Sequence, residues 1–327
     1  MRVLLTGGAG YVGSIATERL LDLGHEVLVF DNLGRGHRAA VDARARFVRG
    51  DVRTPDELES AFAAFKPEAV MHFAALALVG ESMKRPGLYF DNNFAGLLRL
   101  AETMRRHDVR RIVFSSTCAV YGAPAVVPMD ETQPTAPESP YGESKLMGER
   151  LLGWYAQRHG FLPVLLRYFN ACGASARHGE DHAPETHLIP NVLRTALGRQ
   201  ARVEIFGDDY ETPDGTCIRD YIHVLDLAEA HILALECEAG GTFNLGNGAG
   251  YSVQQVIEEA RRVTGRPIPV TVRPRRPGDP PRLVASAGEA ATRLGWKPQR
   301  PSLRTILEDA WAWHRARPDG YGDRATG

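Results

Sequence analysis

The sequence predicts an α/β protein: a doubly wound parallel sheet followed by a smaller, mixed α/β unit. Three observations carry this. Short apolar runs alternate with amphipathic helical patterns through the first half of the 327 residues. The first run opens into a glycine-rich turn that starts a helix, and the second run ends on an acid, Asp31.

Arg2 to Leu5 is the first strand, and Thr6-Gly7-Gly8-Ala9-Gly10-Tyr11-Val12-Gly13 is the turn. Val12, Ile15, Ala16, Leu20 and Leu23 then mark one helical face that stops at Gly24. Val27 to Phe30 is the second strand. Glycines at 7, 10 and 13 suit a tight turn, the close approach of a pyrophosphate and close helix packing. The helix amino terminus offers N–H groups to the phosphates. Asp31 stands where a carboxylate holds the adenosine ribose and repels a 2′-phosphate, so the pattern favours NAD over NADP. Arg35 and Arg38 oppose that preference, because a nearby arginine can accept the extra phosphate.

The alternation continues through a strand at Phe47-Val48-Arg49, a helix from Pro55 to Phe65 and a strand from Ala69 to Phe73. A helix from Asp91 to His107 and a strand from Arg111 to Phe114 follow. In such sheets ligands bind at the carboxyl ends of the strands. Asp31, Asp51, Ala74, Ser115, Ser116 and Thr117 are therefore site candidates.

Ser139 and Pro140 form a cap and first turn for the next helix. Met147, Leu151, Trp154 and Tyr155 predict its buried face. Tyr141 and Lys145, four apart, share one side of it. A cation beside a phenol makes the phenolate accessible, so Tyr141 is a candidate proton acceptor, with Thr117 orienting a substrate hydroxyl. Lowering a phenol from ~10 to ~7 requires about 4 kcal/mol. One cation at ~6 Å and an effective dielectric of ~20 supplies about 2.8 kcal/mol. Lys145 alone falls short; with the positive ring of NAD⁺ it suffices.

Pro163 to Tyr168 is a strand ending in Phe169-Asn170. From Arg177 to His187, three histidines lie among three acids; proline, glycine and the lack of a periodic pattern predict a loop with no metal. Helices are expected at 188–197, 224–235, 253–263, 285–294 and 303–313, with strands at 203–207 and 242–246. Arg219 and the Arg275-Arg276 pair suit an anionic substrate, since guanidinium forks match phosphate oxygens. Pro318 to Gly327 reads as a loose tail. No GxSxG, HExxH or second phosphate loop is present, which disfavours hydrolase, zinc protease and kinase readings.

A net charge of -1 gives no electrostatic case for nucleic acid or a membrane surface. The first apolar run is too short for a signal peptide. Cys118, Cys172, Cys217 and Cys237 form no CxxC pair and read as reduced thiols, so a cytoplasmic protein is expected.

Together these residues resemble the extended short-chain dehydrogenase/reductase family, a Rossmann family, and within it the UDP-glucose 4-epimerase group. The resemblance runs from Arg2 to about Leu294. It rests on the glycine turn at 6–14, Asp31-Asn32, Tyr141 with Lys145, His72-Phe73-Ala74-Ala75, Val79-Gly80-Glu81-Ser82 and Asn92-Asn93. It also rests on the segments at 114–122, 167–174, 214–224 and 275–281. It implies tightly held NAD and oxidation of a UDP-sugar at C4, with Tyr141 as base, Lys145 tuning it and Thr117 at the Ser/Thr position. Cofactor contacts are implied for Gly7, Gly10, Tyr11, Val12, Gly13, Asp31, Asn32, Asp51, Val52, Phe73, Ala74, Ala75, Asn92, Ser115, Tyr141, Lys145 and Phe169. Substrate contacts are implied for Thr117, Tyr141, Asn170, His187, Leu188, Glu204, Ile205, Phe206, Arg219, Arg276 and Asp279. A homodimer through the helices near Asn93 and Tyr155 is implied. So is a division into an NAD domain at 1–170 and a substrate domain at 171–327, with the helix near 224–236 returning to the first.

Two positions depart from the pattern. Ala77 stands where some relatives carry a lysine toward the pyrophosphate, and Leu283 where some strictly hexose-specific relatives carry a tyrosine. The second leaves room near the sugar 2-position, so UDP-N-acetylhexosamines or UDP-pentoses are alternative substrates. A 4,6-dehydratase needs acids after the strand-end threonine, where this chain has Cys118-Ala119. A non-catalytic NAD-sensing protein would be expected to lack the Tyr–Lys pair or the arginines, and they are present.

Overall fold

The computed structural model describes residues 1–276 and 278–323. Its strands are β1 Arg2–Thr6, β2 Glu26–Asp31, β3 Arg46–Arg49, β4 Ala69–His72, β5 Arg111–Thr117, β6 Leu162–Tyr168, β7 Asn170–Cys172 and β8 Val203–Phe206. They continue as β9 Ile218–Arg219, β10 Tyr221–His223, β11 Gly241–Leu245, β12 Tyr251–Ser252, β13 Val270–Arg273 and β14 Arg282–Leu283. The helices are α1 Tyr11–Asp22, α2 Pro55–Phe65, α3 Val79–Lys84, α4 Pro86–Tyr89, α5 Gly96–Arg106 and α6 Pro140–His159. After them come α7 Leu188–Ala196, α8 Val224–Glu236, α9 Val253–Thr264, α10 Gly288–Arg293 and α11 Leu303–Ala316.

Seven strands form one sheet in the order β11-β6-β5-β4-β1-β2-β3, every pair parallel. Successive residues serve opposite faces, and both faces are covered. Val3, Leu5, Val27, Val29, Met71 and Val113 pack toward α1 and α8. Leu4, Leu28, Phe30, Val70, Ile112 and Phe114 pack toward α2, α5 and α6. Such strands read as apolar runs without alternation, as they do here. The seventh strand and α8 come from sequence beyond residue 170: β11 pairs with β6, and Val224 and Ala228 of α8 pack on Ile15 of α1. A third core joins β8, α7, α9 and α11 through Ile205, Val192, Ile257 and Ile306. No helix among the described residues is long and apolar enough to cross a membrane.

Three expectations need correction. The buried face of α6 is Lys145, Gly148, Glu149, Leu152 and Tyr155, whereas Trp154 is 58% exposed. Apolar spacing misplaced that face because two of the buried residues are charged. The helix expected from Asp91 begins as a π-helical turn, Phe90–Ala95, which carries Asn92 and Asn93 against α6. Residues 318–323 are docked: Tyr321 stacks on His37 at 4.9 Å and Asp323 accepts from Ala39 N at 2.9 Å. A tail of polar residues carries no period to announce such contacts. Residues 324–327 of that tail, and Pro277 of the basic loop, lie outside the described residues. The short strands β7, β9, β10, β12 and β14, two or three residues each, had no pattern to reveal them.

Candidate active site

The sheet reverses its winding between β1 and β4, and the glycine turn lies at that switch point. Gly7 has φ +76°, and a Cβ there would lie 2.4 Å from Ala74 N, so only glycine fits. A Cβ on Gly13 would meet Gly7 O at 2.3 Å, which explains the third glycine. A Cβ on Gly10 would meet nothing nearer than 3.4 Å, so the space above the turn is open. Helix α1 starts at Tyr11 with no side-chain cap, which leaves its first N–H groups for an anion. Tyr11 turns its hydroxyl away to Gly173 O at 2.7 Å, so Tyr11 and Val12 present backbone here.

At the end of β2, Asp31 is 8% exposed and accepts from Ala9 N at 3.0 Å and Leu33 N at 2.8 Å. Burial raises its carboxyl above the usual range, and the two amides pull it back. Arg35 is clamped by Glu81 at 2.9 Å and by Ala183 O, and Arg38 lies over the Phe47 ring. Both arginines are therefore engaged elsewhere, and Asp31 faces no free guanidinium from them. Asn32 donates to Asp51 at 2.9 Å. Asp51 is also held by Arg53 at 2.7 Å, and that hydrogen bond pulls its carboxyl well below the usual range. Val52 is buried in the core beneath. These residues fit NAD: a glycine cradle that a side chain would fill, open helix N–H groups and a buried ribose carboxylate.

The end of β5 meets α6, and there the candidate residues Thr117, Tyr141 and Lys145 come together. Lys145 Nζ, 2% exposed, donates to Ser115 O at 2.8 Å and lies 4.8 Å from the Phe114 ring centroid. Burial lowers it to about 7, with Glu149 opposing. Thr117, whose hydroxyl accepts from Ala119 N at 3.1 Å, stands near enough to Tyr141 to act on its phenol. Burial pushes Tyr141 up, the Tyr168 hydroxyl adds to that, and Thr117 pulls it down. Lys145 is anchored on Ser115 O and weakened by burial, and the largest influences on the phenol are burial, Tyr168 and Thr117.

Asn92 donates to Asn93 at 3.0 Å, and Asn93 ties the π turn to Ser144 of α6 at 3.0 Å. Phe73 packs against His231 at 4.7 Å, Ala74 and Ala75 follow it, and Phe169 is buried beside Tyr121. On the other side of the crevice, Asn170 donates to Asp220 O at 2.8 Å, and Arg219 is paired with Asp279. Arg276 lies 3.9 Å over the Phe206 ring. Three expected substrate residues have side chains occupied elsewhere. Ile205 is in the third core, Glu204 pairs with Arg273 at 2.8 Å, and the His187 imidazole sits against Glu180 and Glu185. Leu188 opens α7.

Two groups escaped the sequence reading. His231 of α8 lies 3.0 Å from the Ser115 hydroxyl. Glu149, one turn after Lys145, holds Arg167 at 2.5 Å and Ser116 at 2.5 Å, all three side chains buried. Arg167 continues to the Tyr121 hydroxyl at 2.9 Å, which donates to Asn244 at 2.8 Å. The four-residue spacing of Lys145 and Glu149 was a usable signal; the partners from β5, β6 and β11 were not.

The model of the NAD dependent epimerase/dehydratase family matches residues 3–246. The chain belongs to that family. It is 52% identical to a UDP-glucose 4-epimerase of Halalkalibacterium halodurans, over 98% of each chain. Among solved structures, it is similar to UDP-glucose 4-epimerase from Brucella ovis in complex with NAD. The two are 46% identical, with a TM-score of 0.92 over 95% of this chain and 97% of that one. The enzyme from Bifidobacterium longum, in complex with NAD⁺ and UDP, is 38% identical with a TM-score of 0.94, over 98% and 100%. Membership in an NAD dependent epimerase/dehydratase family accords with the cradle built above.

Proposed function

We propose that this family member is a UDP-glucose 4-epimerase, interconverting UDP-glucose and UDP-galactose by transient oxidation at sugar C4. The observation that carries the reading is that α6 brings Tyr141 and Lys145, one turn apart, to the end of β5, where Lys145 is anchored on Ser115 O and Thr117 ends the strand beside the glycine cradle. The names and complexes of the relatives support it.

Thr117 orients the sugar 4-hydroxyl, and Tyr141 takes its proton. NAD, when bound, supplies the acceptor and later donor for the C4 hydrogen, and a positive ring charge that adds to that of Lys145. Lys145, fixed by Ser115 O, holds the edge of the site against the cofactor ribose. Arg219 and Arg276 hold the diphosphate while the 4-keto sugar turns over, and Tyr141 then returns its proton to the other configuration. The remaining cofactor and substrate residues named from the resemblance take those roles, with His187, Glu204 and Ile205 acting through backbone atoms.

The reading extends to a cytoplasmic enzyme of galactose metabolism. It also includes a homodimer through α5 and α6, whose Leu98 and Trp154 are exposed. The domain division proposed is 1–170 and 171–327, with α8 and β11 assigned to the first. Incubating the protein with UDP-galactose, and separately with UDP-N-acetylgalactosamine, tests the reaction. UDP-glucose is expected from the first; no gluco epimer from either would overturn the reading.

A further inference from the structure

We propose that Glu180, His182, Glu185 and His187 form a four-coordinate site for a transition-metal dication of the Zn²⁺ or Co²⁺ class. In sequence this segment reads as a loop without metal, since no helix or strand aligns its histidines. The fold gathers them by coiling the loop. One ligand atom from each of the four residues lies within 4.8 Å of all the others.

The geometry suits a tetrahedral ion. His187 Nδ1 is 2.7 Å from a Glu180 oxygen and 3.1 Å from a Glu185 oxygen. His182 Nδ1 is 3.1 Å and 3.8 Å from oxygens of the same two acids. Ligands bound at 2.0–2.1 Å around a tetrahedral ion lie about 3.3 Å apart, which these separations bracket. Both imidazoles present the same nitrogen to the acids. The carboxylates are the buried members, with side chains 5% and 3% exposed. Two carboxylates converging out of water need positive charge between them, which the two imidazoles supply when protonated and a dication supplies when it replaces those protons. Two nitrogens and two carboxylate oxygens match Zn²⁺ or Co²⁺ better than Ca²⁺ or Mg²⁺, which take oxygen alone.

Four protein ligands leave no open position, so the site is structural. It closes the segment between Gly173, which accepts from Tyr11 at 2.7 Å, and the start of α7. The His182 ring meets Tyr11 edge-on at 6.3 Å. A bound ion therefore ties the approach to α7 against the residue that opens α1.

The test uses untagged full-length protein, stripped with chelator and equilibrated with Co²⁺ or Zn²⁺ alone. One equivalent per chain, the visible absorption of four-coordinate Co²⁺ and an upward shift in Tm are expected. His182→Ala and Glu185→Gln should each lose at least tenfold in Co²⁺ affinity while keeping the metal-free circular dichroism of the parent. Parent protein that retains no Co²⁺ overturns the proposal, whatever the variants do. Unchanged affinity and spectrum in His182→Ala overturn it as well. The epimerase reading is carried by Thr117, Tyr141, Lys145 and the glycine cradle, none of them a proposed metal ligand, and survives either failure.

Discussion

His231 reaches from α8 to the end of β5, where its Nε2 lies 3.0 Å from the Ser115 hydroxyl. Its Nδ1 lies 2.9 Å from the Leu227 carbonyl, so Nδ1 carries the proton and Nε2 accepts from Ser115. A second proton would break that bond in a fully buried place, and burial lowers the imidazole from 6.5 to about 4. The unfolded chain binds this proton near 6.5 and the native chain only near 4. The contribution to stability is therefore complete above 6.5 and is lost as pH falls toward 4. Up to about 3 kcal/mol is at stake. His231→Gln should remove that part of the pH slope in urea unfolding. His72, lowered to about 3 by burial and then by Lys145, leaves a residual slope of the same sign.

Lys145 titrates in the other half of the pH range. The native ammonium sheds its proton near 7, whereas the unfolded chain keeps it to 10.5. Between those values the unfolded state binds more protons, so stability rises with pH. The parent should gain stability relative to Lys145→Met as pH is raised from 7 to 10. Parallel pH trends in the two proteins would contradict this.

Tyr141→Phe removes the proton acceptor and leaves the glycine cradle intact. Epimerisation of UDP-galactose should fall by roughly 10²–10⁴-fold. The NAD content of the purified protein should stay at the parent level, which a coupled assay and cofactor extraction would measure.

Glu149 and Arg167 form an ion pair with both side chains under a tenth exposed. Glu149→Gln strands the guanidinium, and about 3–5 kcal/mol of stability should be lost. Replacing both, as Glu149→Leu with Arg167→Met, should recover most of it in equilibrium unfolding at pH 8. A double variant as unstable as the single one would show that the Ser116 and Tyr121 bonds matter more than the charge.

Leu283 packs against the buried cluster that holds Tyr121 and Phe169, beside the end of β5. Leu283→Tyr fills that volume. The ratio of UDP-N-acetylgalactosamine to UDP-galactose turnover should drop, with the UDP-galactose rate changing less than the ratio.

The sequence by itself determined the sheet, the glycine cradle and the placing of Tyr141 and Lys145 one turn apart, because each is written locally. Apolar runs specify strands buried on both faces, three glycines specify a backbone that touches a strand end, and a four-residue interval specifies one helix turn. What Lys145 and Tyr141 face was decided only by tertiary structure. A side chain's partner and its pKa depend on groups brought from far along the chain: Ser115 of β5 for Lys145, Thr117 of β5 and Tyr168 of β6 for Tyr141. The same holds for the loop at 180–187, whose histidines and acids follow no period. Only the packing of that loop between α1 and α7 makes four scattered side chains converge.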